Sequence, residues 1–232
     1  MKNILLIGGS YGIGYEIAAE LQNNANIYVA SRSNENLSKL KVNHIPFDVV
    51  NDKLDTSKLP DIIDGFVYCP GSINLRPFRG LKSENFENNM QLNFFSMVKV
   101  LQSILPQLLA AQQSSIVLFS SVAVKMGMPF HTSIAASKGA IEGFAKAFAA
   151  EYAPKIRVNV IAPSLTDTPL AEKFLSNEEK REKSAQRHPL KRIGKTQDIA
   201  QIAIFLLSEK SSWISGQLFN VDGGMSSLIV NS

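Results

Sequence analysis

Short apolar runs alternate along the chain with longer segments of helical periodicity. Most of the runs are continuous rather than alternating between apolar and polar residues. Continuous runs are typical of strands that are buried on both faces of a parallel sheet. The predicted strands are 4–7, 27–30, 45–47, 66–68, 116–119, 158–161 and 218–221, and the predicted helices are 13–21, 86–109, 134–152 and 197–207.

Strands that alternate with helices predict βαβ units with right-handed crossovers. One doubly wound sheet accommodates all seven strands. We therefore expect an α/β, Rossmann-like fold with a parallel seven-stranded sheet in the order 3-2-1-4-5-6-7. The 232 residues contain no segment of linker composition, so the chain is interpreted as a single domain over residues 1–232.

Composition narrows the function classes. The chain is 45% hydrophobic and 19% charged, as in ordinary globular proteins, and its net charge of +4 comes without a basic tract that would predict nucleic-acid binding. The apolar runs fall far below the roughly 18 residues that span a membrane, and the first is too short for a signal peptide. Cys69 is the single cysteine, which excludes an internal disulfide and a thiolate metal cluster. We expect a cytoplasmic protein with no metal, no membrane contact and no nucleic-acid partner.

A glycine-rich turn joins the first predicted strand to the first predicted helix. It reads Gly-Gly-Ser-Tyr-Gly-Ile-Gly over residues 8–14. Glycines permit a tight turn, and a helix N-terminus presents free N–H groups to an anion. This position favours a phosphate cradle over a plain strand–helix turn. The predicted dinucleotide contacts are Gly8, Ser10, Tyr11, Gly12, Ile13 and Gly14.

The end of the second strand indicates which dinucleotide binds. In NAD-binding domains a carboxylate at this point bonds the ribose 2′-hydroxyl. No Asp or Glu occurs between Leu21 and Asn34, and the strand ends in Ser31-Arg32. A small residue followed by arginine suits a 2′-phosphate, so we predict NADP rather than NAD. The alternative is that Arg32 is only a solvated surface residue.

With these motifs the chain resembles the short-chain dehydrogenase/reductase family, in its small single-domain form and over nearly its whole length. The family's Gly-x-x-x-Gly-x-Gly loop matches the glycines at positions 8, 12 and 14. The resemblance implies an NAD(P)-binding domain over residues 1–232 that assembles as a homodimer or homotetramer. The further cofactor contacts that it implies are Asp48, Val49, Gly71, Pro163 and Thr168.

The family's catalytic set is Ser, Tyr and Lys, with Tyr-x-x-x-Lys on a long helix. Ser121 and Lys138 match the serine and the lysine at the family's separation of 17 residues, and Asn93 matches an asparagine that helps to hold a proton-relay water. Ile134 stands four residues before Lys138, so the tyrosine that donates a proton in the family is missing. A positioned general acid contributes about 10²–10⁴ in rate, which makes this the main departure from the family pattern.

Another proton donor is therefore needed for carbonyl reduction. His131 lies three residues before Ile134, and imidazole is suited to acid–base work near neutral pH. We consider His131 or a bound water as the donor. The alternative is a loop histidine that bonds only to the backbone or to water.

The expected function is an NADP-dependent oxidoreductase that interconverts a carbonyl and an alcohol. Two alternatives stay open: a nucleotide-binding module without redox turnover, acting as a sensor or subunit partner, and an enzyme that transfers hydride to a C=C bond. The polar stretch between residues 165 and 195 lies where the family has a mobile substrate lid. Its Arg187, Lys191 and Arg192 suit an anionic carrier such as acyl carrier protein, so the expected substrate is a small molecule, free or carrier-bound.

Overall fold

Seven parallel strands form one sheet in the order β3-β2-β1-β4-β5-β6-β7 in the computed structural model, which describes residues 1–230. This confirms the predicted doubly wound α/β architecture and strand order. The last two residues of the predicted domain, 231 and 232, lie outside the described residues. The strands are β1 Lys2–Ile7, β2 Ala25–Ser31, β3 Val42–Pro46, β4 Gly65–Tyr68, β5 Ser114–Phe119, β6 Ile156–Pro163 and β7 Leu218–Val221.

The helices depart from the sequence prediction in three places, one of which is the helix Glu178–Gln186, which was not among the four predicted helices. The predicted helix 86–109 is two α-helices joined by a π-helical turn, Gln91–Phe95, and a short helix that was not predicted follows β5. Five residues are too few to show a helical period, so that helix escapes pattern analysis. The helices are α1 Gly12–Leu21, α2 Ser83–Met90, α3 Ser96–Ala110, α4 Val122–Met126, α5 Thr132–Tyr152, α6 Glu178–Gln186 and α7 Thr196–Leu207.

Alternate residues of each strand feed two hydrophobic layers, one on each face of the sheet. In β1, Leu5 and Ile7 join the layer against α3 and α5, whereas Ile4 and Leu6 join the layer against α1 and α7. All four side chains are at most 2% exposed. Burying each contributes about 1.5–3 kcal/mol, which explains why the strands read as continuous apolar runs.

The helical run Ser83–Ala110 is long and apolar enough to cross a membrane, and no other run in residues 1–230 is. Its buried side chains, such as Met97, Ile104 and Leu108, pack against the sheet. A core helix passes the same length and hydropathy test, so this single run is weak support for a membrane span. The absence of membrane contact stays a prediction.

The strand order reverses between β1 and β4, which are neighbours in space although two strands separate them along the chain. In open α/β sheets, ligands bind outside the carboxyl ends of the strands at such a reversal. The loops that follow β1, β4, β5 and β6 meet at this edge and form the candidate site.

Candidate cofactor and catalytic cleft

A cleft of about 730 Å³ lies along the carboxyl ends of the strands. Every residue predicted to contact the cofactor lines it, and so do Ser121, His131 and Lys138. Asn93 is the exception, since it is fully buried behind the wall of the cleft. The fold therefore gathers residues from positions 8 to 168 along one surface.

The glycine-rich turn after β1 has the backbone geometry of an anion cradle. Gly8 and Gly12 have φ values of +77° and +62°, which favour glycine. A Cβ on Gly14 would lie 2.8 Å from the carbonyl oxygen of Gly8, so this position admits no side chain. Helix α1 begins after Tyr11, which provides no side-chain cap, and its first N–H groups are available to an anion.

At the opposite end of the cleft, Arg32 is exposed, whereas the Ser31 hydroxyl is already hydrogen-bonded within the protein. The Ser31 hydroxyl donates to the carbonyl of Ser33 at 2.8 Å and lies 3.1 Å from Nε2 of His44, a neighbour that sequence analysis missed. Arg32 is exposed and makes no ion pair within residues 1–230. Its guanidinium, rather than the Ser31 hydroxyl, is the free group at this end.

At the edge of the cleft, the Asp48 carboxylate accepts hydrogen bonds from the turn that follows it. The Val50 N–H donates to its carboxylate at 2.9 Å and the Asn51 side chain donates at 3.1 Å. These bonds, the Val50 bond first, and the nearby charge of Arg32 keep the pKa of Asp48 below its usual value. The carboxylate therefore orders the loop that carries Val49 into the cleft.

Lys138 lies at the inner end of the cleft with its ammonium group held in place. Its side chain is 8% exposed, and Nζ donates to the carbonyl of Phe119 at 2.9 Å. Burial lowers the pKa of Lys138 to about 8, since the charged form loses its hydration. Burial also raises the pKa of the neighbouring Cys69 thiol to about 12, so that thiol is a neutral wall residue and not a nucleophile.

Asn93 lies in the π-helical turn, behind Gly71. Its amide nitrogen donates to the carbonyl of Asn89 at 2.9 Å, while its Oδ1 is buried without a protein partner. A Cβ placed on Gly71 would lie 3.5 Å from this oxygen and 3.6 Å from Nζ of Lys138. The acceptor and the ammonium group therefore approach the same glycine.

Ser121 and Ile134 face the cleft from the segment that follows β5 and from α5. Ser121 caps α4, where its Oγ accepts the Ala123 N–H at 3.2 Å, which leaves its own hydrogen free to donate. Its neighbour Ser120 instead donates to the carboxylate of Glu142 at 2.5 Å. Ile134 is 5% exposed, lines the cleft one helical turn before Lys138, and offers no proton.

The structure places His131 at the rim, immediately before α5. Its Nδ1 lies 2.7 Å from the carbonyl of Pro129, and no side chain partners the ring within residues 1–230. His131 reaches the cleft as predicted, but a single backbone contact orients it.

Sequence analysis missed a second histidine that lines the cleft. His188 is 4% exposed, its Nε2 lies 2.8 Å from the Oγ of Ser164, and its Nδ1 lies 2.9 Å from the carbonyl of Ser184. Ser164 follows β6 directly and is half-buried. No spacing motif links residues 164 and 188, because α6 and the turn after it bring them together.

Comparison with known proteins identifies the family. A family model described as enoyl-(acyl carrier protein) reductase matches residues 8–226. The chain belongs to the short-chain dehydrogenase/reductase family. The members of this family are NAD(P)-dependent oxidoreductases, and the chain is an enzyme of that kind.

Individual relatives of the family cover nearly the whole chain. It is 31% identical to the 3-oxoacyl-[acyl-carrier-protein] reductase FabG of Thermotoga maritima, over 97% of both chains. The aldohexose dehydrogenase of Thermoplasma acidophilum is 28% identical with a TM-score of 0.90, covering 100% of this chain and 96% of that one. ElxO with bound NADP is 25% identical with a TM-score of 0.89, covering 98% and 99%.

Proposed function

We propose that this short-chain dehydrogenase/reductase is an NADP-dependent enzyme that interconverts a carbonyl and an alcohol with a proton donor other than tyrosine. One observation carries the proposal. The cleft that contains the glycine cradle also contains a buried, oriented lysine, and the unpartnered Oδ1 of Asn93 approaches the same face of Gly71 as this lysine. A module that only bound nucleotide could use the lysine for the ribose, but it would have no use for the unpartnered amide oxygen beside it.

The residues present fit a nicotinamide dinucleotide. The first N–H groups of α1 and the turn at Gly8 and Gly12 suit a pyrophosphate, because an N-terminus without a side-chain cap attracts anions. When bound, the nicotinamide supplies hydride to a carbonyl or accepts it from an alcohol. Arg32 is free to pair with a 2′-phosphate, and the likeness to ElxO with bound NADP agrees with this preference.

Three residues are assigned separate roles, at the substrate oxygen, the cofactor ribose and a relay water. Ser121 has an uncommitted hydroxyl hydrogen and is assigned to hold the oxygen. Lys138 is assigned to bind the cofactor ribose, since two of its three N–H groups remain after the bond to Phe119. Asn93, with its free Oδ1, is assigned to hold a relay water beside Lys138. Ile134 occupies the position that matches the family's tyrosine, which leaves His131 or a water as the donor that sequence analysis suggested.

Both the names of relatives and surface charge favour a carrier-bound substrate. The relative from Thermotoga maritima is named for acyl carrier protein substrates. Of the cationic residues predicted to face such a carrier, Arg192 is engaged by Asp198 in two bonds of 2.6 and 2.8 Å. Arg187 and Lys191 are exposed and remain for that role, and Arg187 lines the cleft. We propose further that the enzyme is a homodimer or homotetramer in the cytoplasm.

The test is NADPH oxidation by the purified protein with a panel of ketones, acyl thioesters and enones, repeated with Ile134→Tyr. We expect turnover of a carbonyl substrate by the wild-type protein, and tighter binding of NADPH than of NADH. An Arg32→Glu variant should lose this preference while it still folds. Activity only in Ile134→Tyr would support the binding-module alternative, and turnover confined to enones would support hydride transfer to a C=C bond.

A further inference from the structure

We propose that Ser164 and His188 form the proton relay of this enzyme, with Ser164 donating to the substrate oxygen and His188 resupplying Ser164. The inference rests on the proposed carbonyl–alcohol chemistry and names its missing donor. Because Ile134 stands at the position of the family's tyrosine, one wall of the cleft lacks that hydroxyl. Ser164 places a hydroxyl on another wall.

The hydrogen bonds of His188 determine its orientation. The carbonyl of Ser184 only accepts, so Nδ1 at 2.9 Å must carry a hydrogen. The other ring nitrogen, Nε2, then faces Oγ of Ser164 at 2.8 Å. Neutral His188 accepts the serine hydrogen, whereas protonated His188 donates to the serine oxygen, so the pair works in either reaction direction.

The Ser164 hydroxyl is available to a substrate. Its other neighbour is Sδ of Met225 at 3.3 Å, and a thioether is a weak acceptor that a substrate oxygen readily replaces. Ser164 is half-buried and lines the cleft, while His188 behind it is 4% exposed. The pair thus presents one hydroxyl to the ligand space and keeps its imidazole away from bulk water.

The sheet places the segment that carries Ser164 next to the segment that carries the oxygen-binding Ser121. Strands β5 and β6 are paired with Phe119 opposite Ile161, and the N–H of Ser120 donates to the carbonyl of Ile161 at 2.8 Å. Ser121 therefore follows one strand end and Ser164 follows its neighbour, with the strands separated by about 4.8 Å. Both residues line the same cleft, where we assign their hydroxyls to one substrate oxygen.

The proton balance of the relay is complete. In reduction, the carbonyl carbon gains hydride from NADPH, and the C=O π electron pair moves onto the oxygen. That oxygen takes the hydrogen of the Ser164 hydroxyl, and Ser164 takes the Nε2 hydrogen of protonated His188. His188 is left neutral, and its Nε2 regains a proton through the Ser164 hydroxyl when water replaces the product alcohol in the cleft. In alcohol oxidation each transfer runs in reverse.

His131 is less well placed to act as this donor. A single contact, to the carbonyl of Pro129, orients its ring, and no side chain partners it in the described residues. His188 is buried and bonded at both ring nitrogens. General acid catalysis depends on a positioned proton, which the second arrangement provides.

The test compares Ser164→Ala with Ser164→Thr, each alone and combined with Ile134→Tyr. Ser164→Ala should lower kcat by about 10²–10⁴-fold, with KM and the NADPH dissociation constant unchanged. Ser164→Thr retains a hydroxyl and should recover most of the loss. In the Ile134→Tyr background the tyrosine supplies the proton, and Ser164→Ala should cost less than about tenfold in kcat. A His188→Ala variant should regain activity when imidazole is added, which a purely structural residue would not.

A spectroscopic measurement tests the pair without turnover. Long-range ¹H–¹⁵N spectra should show a hydrogen on Nδ1 of His188, and Ser164→Ala should shift the Nε2 resonance. If Ser164→Ala keeps kcat within twofold of the wild type, or if Nε2 does not respond, the relay is refuted while the proposed function stands. If the loss follows His131→Ala instead, His131 is the donor. If the wild-type protein turns over no carbonyl, the proposed function and the relay both fail.

Discussion

Replacing Lys138 by methionine should stabilise the protein without cofactor, and the gain should depend on pH. The lysine pKa falls from 10.5 in the unfolded chain to about 8 in the folded protein, because burial disfavours the charged form. The unfolded state then binds more protons between these two values, so stability rises with pH across this window. Well below pH 8 the full penalty applies, which is about 3 kcal/mol for a shift from 10.5 to about 8 at 1.36 kcal/mol per pKa unit.

The measurement is the free energy of unfolding by urea for the wild type and Lys138→Met, from pH 7 to 9. The advantage of the methionine variant should shrink by about 1 kcal/mol over this range, or roughly 2–4 °C in melting temperature. The buried Cys69, with its raised pKa, contributes the opposite slope above about pH 9, but it is present in both proteins and cancels in the difference. Lys146 is exposed on the same helix, so Lys146→Met serves as the matched control.

A stability difference between wild type and Lys138→Met that does not change with pH would refute the reasoning. It would mean that the bond to the Phe119 carbonyl offsets the lost hydration of the ammonium group. A difference that widens with rising pH would show that Lys138 is more basic in the folded protein than in the unfolded chain. Either result would mean that keeping Lys138 charged does not lower the stability of the folded protein.

Two further substitutions test the cradle and the sheet support. Gly14→Ala places a Cβ 2.8 Å from the Gly8 oxygen and should weaken NADPH binding at least about tenfold in a fluorescence titration, or about 1.4 kcal/mol. The control is Gly143→Ala on α5, where a Cβ meets nothing within 4 Å, and it should leave NADPH affinity unchanged. Equal affinities of the two variants would contradict the cradle. Arg157→Met should lower the free energy of unfolding in urea by at least about 3 kcal/mol, because the buried guanidinium donates to the carbonyls of residues 206, 208, 211 and 214. A decrease of less than about 1 kcal/mol would mean that water replaces the guanidinium as the donor.

The sequence was sufficient to predict the sheet because each central strand is buried on both faces. The edge strand β3 was placed less well: it was predicted at 45–47 and runs from Val42 to Pro46, since Asn43 and His44 are polar residues at the border of the sheet. The helix break at the π-helical turn was also missed. Apolar periodicity continues through that turn, and only hydrogen-bond geometry reveals it.

The cofactor half of the site was accessible to sequence analysis because a contiguous turn builds it. Residues 8–14 form a local structure whose glycines and position carry the signal. The Ser164–His188 pair has no such signal, since the two residues lie on opposite sides of α6 and meet only when that helix packs over the cleft. Local motifs are readable in one sequence, whereas contacts made by a folded-back segment are not.

Binding and chemistry are only partly separate in this cleft. The turns after β1 to β4 hold most of the predicted dinucleotide contacts. The hydroxyls and the imidazole follow β5 and β6, where Lys138, Pro163 and Thr168 are predicted to contact the cofactor as well. A change at position 134 leaves the turns after β1 to β4 intact, so we expect dinucleotide binding whether or not another group replaces the tyrosine that is absent at Ile134. Cofactor affinity therefore cannot distinguish a rewired reductase from a binding module. The pairing of Ser164 with a buried His188 predicts the difference, because it gives the cleft a second source of protons that a binding module would not need.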